Sequence, residues 1–173
     1  MRAARTGTQT HHWLSYEELA WTETVISSPD DYAEQTEYFV AVIKENIAGD
    51  AGTLLHLGCG AGGNDGTFKK HFRVTGVDIS EGMLAIARKI NPEVTYLLGD
   101  MRSLDLNERF DAVVIPDSID YMVTLPELGS AINTACRHLL PGGVLLIAAK
   151  VREEFRENNF CYTGGKVLLC ACR

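Results

Sequence analysis

Four glycines follow a short apolar run in the first half of the chain, and this pattern can bind a nucleotide-like ligand. They are Gly58, Gly60, Gly62 and Gly63. The preceding run, Leu54 to Leu57, has the composition of a buried strand. Glycine adopts a positive φ readily and lets the backbone approach a ligand closely. The segment from Asn64 to Phe72 is predicted to begin a helix whose free N–H groups face the same ligand.

Two aspartates end the next two predicted strands and could complete such a site. Asp78 follows the strand 73–77, where a carboxylate can accept hydrogen bonds from ribose hydroxyls, and Ile79 would then lie against a nucleobase. Asp100 follows the strand 94–98, where it can accept from an exocyclic amine such as that of adenine while the Met101 N–H donates to a ring nitrogen. Asp78 could instead stabilise a helix N-terminus near Ser80.

The glycine spacing alone does not select a cofactor. Gly58, Gly60 and Gly63 satisfy G-x-G-x-x-G, which is typical of nicotinamide and flavin dinucleotide sites. Gly58, Gly60 and Gly62 satisfy G-x-G-x-G equally well. The glycine pattern therefore leaves the class of cofactor undecided.

The elements that must position these residues alternate along the chain. Strands are predicted at 53–57, 73–77, 94–98, 110–115 and 144–149, and helices between them, the last at 126–140 before Pro141-Gly142-Gly143. Ser80 is expected to cap the helix that buries Met83, Ile86, Ala87 and Ile90. This alternation predicts a doubly wound α/β fold, with a mostly parallel, Rossmann-like sheet and helices on both faces.

Two further helices are predicted ahead of the core, one from Ser15 and one from Ser28-Pro29 to Gly49, where they can cover the turn as a lid. We expect one domain over 1–173, with a tail and lid helices at 1–50, the core at 51–150 and a tail at 151–173.

Composition and charge bear on the partners and the compartment of the protein. The net charge of −7 and the absence of any lysine or arginine run disfavour a nucleic-acid partner. The apolar runs are too short for a membrane span, and the start lacks the apolar core of a signal peptide, so we expect a cytoplasmic protein. Five cysteines, an odd number, indicate reduced thiols. Cys170 and Cys172 lack a second ligand pair, so no metal site is expected.

Taken together, the motifs resemble the ordered series of class I S-adenosylmethionine-dependent methyltransferases. The resemblance covers residues 15 to 150, and its motifs are Leu-His-Leu-Gly-Cys-Gly-Ala-Gly, Val77-Asp78-Ile79-Ser80, Gly99-Asp100-Met101, Phe110-Asp111-Ala112-Val113-Val114 and Leu139-Leu140-Pro141-Gly142-Gly143. As a series they are specific, although each alone is weak.

The resemblance implies a role for each matching residue. The turn, comprising Gly58, Cys59, Gly60 and Gly62, would line the methionine part of S-adenosylmethionine. Asp78 would hold the ribose, Asp100 and Met101 the adenine, and Ile79 would pack on the adenine face. The segment Tyr16 to Trp21 is similar to a leading helix that closes over the cofactor, where aromatic faces can attract a sulfonium; ordinary packing of an amphipathic helix is the alternative.

His56 departs from the family pattern. Many members carry an acidic residue two positions before the first glycine, where it helps to hold the amino group of the cofactor. A neutral imidazole could still accept a hydrogen bond from that group, whereas a protonated one would repel it. A histidine satisfied at the end of a strand is the other interpretation.

The segment after the fourth strand should face the acceptor. Asp117 and Tyr121 are the candidates for a catalytic base if the acceptor must lose a proton, although Asp117 could equally cap the turn after Pro116. A dedicated base is not obligatory, because positioning of the acceptor is the main requirement of an in-line methyl transfer.

Family members usually continue past the fifth strand to complete a seven-stranded sheet, and here only Val167 to Ala171 offers a further strand. The resulting sheet edge could be covered by this tail strand or by a second copy of the chain, and the second arrangement would give a homodimer. We expect transfer of a methyl group to an oxygen, nitrogen or carbon of a small molecule. The alternatives are a nicotinamide-dependent oxidoreductase and a non-catalytic cofactor-binding or interaction module.

Overall fold

Five parallel strands and one antiparallel strand form a single sheet in a computed structural model of the chain. The structure describes Thr22, residues 29–47, Gly49, residues 51–149 and the strand at 166–171. The strands are β1 Thr53–Leu57, β2 Arg73–Asp78, β3 Thr95–Leu98, β4 Phe110–Ile115, β5 Leu139–Ala149 and β6 Lys166–Ala171. Their order across the sheet is β3-β2-β1-β4-β5-β6. The first five pair in parallel and β6 pairs antiparallel with β5.

Helices cover both faces of this sheet, as the sequence predicts. They are α1 Pro29–Asn46, α2 Asp65–Phe68, α3 Glu81–Ile90 and α4 Leu125–Arg137, with a 3-10 helix at Ser118–Tyr121. The side chains of β1 alternate between two cores: Leu54 joins the core beneath α1 and α3, and Leu55 joins the core beneath α4. The chain order reverses at β1, between β2 and β4, so the carboxyl end of β1 lies at the switch point where ligands bind in such sheets.

Local signals explain where two helices begin. Ser80 caps α3, as expected, because its hydroxyl oxygen accepts from the Met83 N–H at 3.1 Å. A capping box begins α4: the Thr124 hydroxyl oxygen accepts from the Glu127 N–H at 3.3 Å, and the Glu127 carboxylate accepts from the Thr124 N–H at 3.2 Å.

The structure differs from the sequence-based expectations for three of the helices. The helix after the glycines spans only Asp65–Phe68 and not 64–72. The last helix ends at Arg137, because Leu139 pairs with Phe110 as the start of β5 and the Pro141-Gly142-Gly143 segment lies inside that strand. The buried face of α3 consists of Met83, Leu84 and Ala87, whereas Ile90 is exposed.

The outer edge of β5 is covered by the tail strand. Residues 144–149 pair with 166–171, so the first of the two expected ways of covering that edge is the one observed. A second copy of the chain would therefore meet β6 and not β5. The predicted helix from Ser15, with Tyr16 and Trp21, lies outside the described residues apart from Thr22. Among the described helices, none is both long and apolar enough to cross a bilayer.

Candidate active site

The glycine turn folds from the end of β1 toward the end of β2. The N–H groups of Gly58 and Cys59 both donate to the Val77 carbonyl oxygen, at 2.7 and 3.0 Å. Gly58 has a φ of 72°, and Gly60 a φ of 53°. A side chain at 58 would collide with Ser118 and Met101, whereas at 60 it would meet nothing within 4 Å. Gly60 therefore borders open space of the kind that a cofactor needs.

Asp78 is fixed beside this open space by two backbone amides. Its Oδ2 accepts from the Gly60 N–H at 2.8 Å, and its Oδ1 accepts from the Ser80 N–H at 2.9 Å. A carboxylate has about four acceptor positions, so both oxygens keep capacity for further donors. The next side chain, Ile79, is 66% exposed and offers an apolar surface at the same edge. The structure thus brings together the turn, the carboxylate and the apolar side chain that the sequence singled out.

The remaining two glycines of the turn serve packing. A side chain at Gly62, whose φ is 80°, would collide with Tyr96 and Asn91, and one at Gly63 would collide with the ring of Tyr32. The absence of a side chain at both positions is therefore required by the packing of the protein itself.

Asp100 is held by its neighbour Arg102. The Asp100 carboxylate accepts from the Arg102 backbone N–H at 2.8 Å, from Nε at 2.9 and 3.0 Å and from Nη2 at 2.6 Å. These side-chain hydrogen bonds keep the pKa of Asp100 below its ordinary value, although desolvation opposes them. Each carboxylate oxygen thus accepts two hydrogen bonds from Arg102, so an amine of the cofactor would have to share an oxygen with Arg102 or replace one of these contacts. Arg102 also donates to Glu127 at 2.9 Å and so links this loop to α4.

Two side chains of the predicted site face the core. His56 is 1% exposed and lies behind the turn, with its Nδ1 at 2.7 Å from Oδ1 of the fully buried Asp65. This position favours the interpretation of His56 as a histidine satisfied at the end of a strand over direct contact of its imidazole with the amino group of the cofactor. The Cys59 thiol is also buried, and burial, with Asp65 and Asp78 adding to it, raises its pKa well above the ordinary value. Cys59 can therefore contact a cofactor only through its backbone.

The loop after β4 is docked on the turn. Ser118 donates from its hydroxyl to the Leu57 carbonyl oxygen at 2.9 Å, and Ile119 is buried beneath the loop. Asp117 is exposed at the start of the 3-10 helix, and Tyr121 at its end is 56% exposed. Both candidates therefore lie on the loop that adjoins the turn, whereas Tyr16 falls outside the described residues. Met101, from the adjacent loop, packs against the core beneath α4.

Sequence reasoning missed the residues that support the site: Asp65, Asn91, Tyr96 and Ser118 around the glycine turn, and Arg102 beside Asp100. Two of them carry a weak signal of their own. Asp65 is an acid in the first turn of a helix and Asn91 precedes a proline, but only the fold brings Tyr96 and Asp65 within 2.8 Å of each other. A lone serine such as Ser118 gives no signal.

Comparison with known proteins identifies the family. The methyltransferase domain family matches residues 54–143, which is more than half of the chain. A dTDP-3-amino-3,4,6-trideoxy-alpha-D-glucopyranose N,N-dimethyltransferase of Streptomyces venezuelae is 38% identical over 119 residues, covering 68% of this chain and 50% of that protein. A dTDP-4-amino-2,3,4,6-tetradeoxy-D-glucose N,N-dimethyltransferase of Saccharopolyspora spinosa is 33% identical, covering 68% of this chain and 47% of that protein. The chain spans about half the length of these curated relatives.

Solved structures agree with the family match. The crystal structure of DesVI from Streptomyces venezuelae superposes with a TM-score of 0.71 at 32% identity, covering 79% of this chain and 58% of DesVI. CalS10 is an amino pentose methyltransferase of Micromonospora echinaspora that was solved with bound S-adenosylmethionine. It superposes with a TM-score of 0.64 at 32% identity, covering 86% of this chain and 61% of CalS10. With its glycine turn, Asp78 and sheet order, the chain belongs to the class I S-adenosylmethionine-dependent methyltransferase family.

Proposed function

We propose that this protein transfers a methyl group from S-adenosylmethionine to a small-molecule acceptor. The observation that carries the proposal is the Asp78 carboxylate, held by the Gly60 and Ser80 amides beside the open space at Gly60. A rigid acceptor at the carboxyl end of β2 fits a ribose diol. The relatives reported above are methyltransferases, which favours this function over the nicotinamide-dependent alternative.

Different residues of the chain would bind different parts of the cofactor. The backbone of Gly58 to Gly60 would border its methionine part, Asp78 the ribose, Ile79 the face of the adenine and Asp100 its amine. When bound, S-adenosylmethionine supplies an electrophilic methyl group on a sulfonium. Correct placement of the acceptor can contribute about 7 to 11 kcal/mol to such a reaction, so orientation is the main task of the protein.

Asp117 and Tyr121 are the residues that we propose for proton removal from the acceptor. Both belong to the loop that Ser118 anchors on Leu57, next to the glycine turn. An ammonium cannot attack a methyl group until it loses a proton, and an exposed carboxylate at the site can accept that proton.

The acceptor that we propose first is an amine nitrogen on a nucleotide-linked sugar. The support comes from relatives: the two N,N-dimethyltransferases reported above are named for dTDP-linked amino sugars, and CalS10, at 32% identity, is an amino pentose methyltransferase. Oxygen acceptors are the competing class, since a trans-aconitate methyltransferase of Azoarcus is 35% identical over 101 residues.

A mass-spectrometric assay tests this proposal. The protein is incubated with S-adenosylmethionine and a dTDP-amino sugar, and in parallel with the matching dTDP sugar that carries a hydroxyl in place of the amine. We expect methylated amine and an equal amount of S-adenosylhomocysteine only in the first reaction. Methylation of the hydroxyl sugar alone would exclude the amine acceptor. Binding of S-adenosylhomocysteine with no methylation of either sugar, or of a wider acceptor panel, would favour the non-catalytic module.

We further propose that the protein acts in the cytoplasm, without a membrane or nucleic-acid partner. The two cysteines among the described side chains, Cys59 and Cys136, are free thiols, which fits a reducing compartment. Homodimerisation stays a prediction, now directed to the edge at β6, and static light scattering tests it.

A further inference from the structure

A connected group of buried polar side chains lies directly behind the glycine turn. Its members are His56, Asp65, Asn91 and Tyr96. They come from β1, α2, the end of α3 and β3, so four elements meet at this group. Every buried side-chain nitrogen and oxygen of the described residues has a hydrogen-bond partner, and these four residues are bonded to one another and to the turn.

Asp65 is the centre of this group. Its Oδ1 is 2.7 Å from His56 Nδ1, and its Oδ2 accepts from the Tyr96 hydroxyl at 2.8 Å. Burial, together with the nearby Asp65 carboxylate, raises the pKa of Tyr96 far above its ordinary value, so the phenol stays a donor. With a carboxylate as its partner, His56 Nδ1 carries the proton of the shared hydrogen bond.

The group is bonded to the turn at Gly62. Asn91 Nδ2 donates to the Gly62 carbonyl oxygen at 2.9 Å and to the Tyr96 hydroxyl at 3.1 Å. The Asp65 N–H donates to the same carbonyl at 3.1 Å. The Gly62 carbonyl is thereby held from behind by two donors, while Asp78 holds the Gly60 N–H from the front at 2.8 Å.

We propose that His56 and Asp65 are positioning residues for the cofactor: a single buried carboxylate at 65, satisfied by a donor at 56, fixes the glycine turn in the shape that binds. The proposal rests on the proposed function. It implies that position 56 must supply a donor and cannot carry a second carboxylate, because two facing carboxylates in a dry site repel each other.

Side-chain geometry offers a matched pair of variants. In asparagine and aspartate, a terminal atom is bonded to Cγ, as Nδ1 is in histidine, so either residue can present one atom to Asp65. Both variants leave the same space where the imidazole packed edge-on against Phe68, with ring centroids 5.8 Å apart. The comparison of His56→Asn with His56→Asp therefore isolates the donor and the charge from the lost packing.

Two measurements are made on each variant: calorimetric binding of S-adenosylhomocysteine, and hydrogen–deuterium exchange of the Gly62 and Asp65 amides in the ligand-free protein. We expect His56→Asp to bind about tenfold more weakly than His56→Asn and its turn amides to exchange about tenfold faster. Amides of β1 and β4 should exchange alike in the two variants, which a general loss of stability would not produce.

A transposed variant supplies the decisive rescue. His56→Asp with Asp65→Asn moves the carboxylate to 56 and the donor to 65, where the asparagine oxygen can still accept from Tyr96. We expect affinity and turn exchange to return to within about threefold of His56→Asn. Equal behaviour of the two single variants, or a folded transposed variant without recovery, would overturn the proposal.

The remaining outcomes are also informative. If His56→Asp does not fold, a folded transposed variant supports the proposal and an unfolded one contradicts it. If the wild-type protein does not bind S-adenosylhomocysteine, the proposed function fails, and the exchange data alone decide whether the pair positions the turn. Tyr96→Phe removes the second donor to Asp65 without adding charge and should accelerate exchange at the turn, whereas Tyr38→Phe, at an exposed tyrosine, should not.

Discussion

The hydroxyl of Ser118 fills the space that a Cβ atom on Gly58 would occupy, and it donates to the Leu57 carbonyl oxygen at 2.9 Å. This contact joins the loop after β4, which carries the candidate base, to the turn that would hold the cofactor. The first glycine is thus required for close approach of two protein segments as well as for its positive φ of 72°.

We expect Gly58→Ala and Gly60→Ala to separate stability from binding. Both place alanine at positive φ, which costs about 1 to 2 kcal/mol, but only Gly58→Ala also collides with Ser118, adding about 1 to 3 kcal/mol. Gly60→Ala projects its methyl group into open space, so it should be more stable than Gly58→Ala. It should still bind S-adenosylhomocysteine poorly, because the methyl group occupies space that the cofactor needs. Urea unfolding and calorimetry measure the two effects, and equal unfolding free energies would contradict this view of Ser118.

Arg102→Ala should weaken cofactor binding more than it weakens the fold. Arg102 orients Asp100 through side-chain hydrogen bonds of 2.6 to 3.0 Å and is itself exposed, so its ion pairs contribute less than about 1 kcal/mol to stability. Without it, Asp100 loses its fixed orientation, and we expect severalfold weaker binding of S-adenosylhomocysteine. Arg73→Ala, at an exposed arginine whose nearest carboxylate oxygen is 3.9 Å away, is the control. Unchanged affinity in Arg102→Ala would remove Asp100 from the site.

Asp117→Asn should lower kcat by about 10²- to 10⁴-fold if Asp117 is the base, with little change in affinity for S-adenosylhomocysteine. Asp120→Asn, on the same 3-10 helix, controls for the loss of one negative charge. Steady-state kinetics with the amine acceptor provide the measurement, and Tyr121→Phe tests the second candidate in the same way. Equal rates in Asp117→Asn and the wild-type protein would exclude Asp117 as the base.

Asp111 predicts a pH dependence of stability. Desolvation raises its pKa, but hydrogen bonds from the Thr53 hydroxyl and the Gly52 and Thr53 amides outweigh it, so the folded-state pKa lies below the usual 3.8. A carboxyl group with a lowered folded pKa stabilises the fold above its unfolded pKa, and this contribution disappears as pH falls through the folded value. We expect Asp111→Asn to lose about 1 kcal/mol at neutral pH, after solvent screening.

Urea unfolding between pH 3 and 7 checks this expectation, with Asp105→Asn as the control for one exposed charge. The difference in unfolding free energy between the wild-type protein and Asp111→Asn should disappear below about pH 4. A difference in unfolding free energy that does not change with pH would mean that the charge of Asp111 contributes nothing to stability.

The sequence predicted the parts of the fold that depend on local patterns. The bounds of β1 and β4 were correct because each is a mostly apolar run between turn-forming residues. The boundary between α4 and β5 was wrong, since Leu139 and Leu140 continue a helical pattern and only pairing with Phe110 draws Leu139 into the sheet. Such pairing is a tertiary effect that local propensity does not contain.

The same limit applies to the site. Asp78 could be predicted because it follows a strand at a recognisable distance from the glycines. The partner of His56 could not, since Asp65 lies beyond a turn whose path is set by the positive φ values of Gly58, Gly60 and Gly62. The motif alone left open whether His56 contacts the cofactor or is satisfied at the end of its strand, because its burial depends on which face of β1 carries Leu54.

Calorimetric titration of the wild-type protein and Asp78→Asn with S-adenosylhomocysteine and with NAD tests the central claim most directly. Asparagine keeps one acceptor oxygen but turns an N–H toward the Gly60 or Ser80 amide, so it removes both the charge and one of the bonds that orient the group. Glu93→Gln, at an exposed carboxylate that pairs with Lys69, is the control. We predict micromolar binding of S-adenosylhomocysteine to the wild-type protein and the control, at least about tenfold weaker binding to Asp78→Asn, and no binding of NAD. Binding of NAD without S-adenosylhomocysteine, or undiminished affinity in Asp78→Asn, would contradict the account.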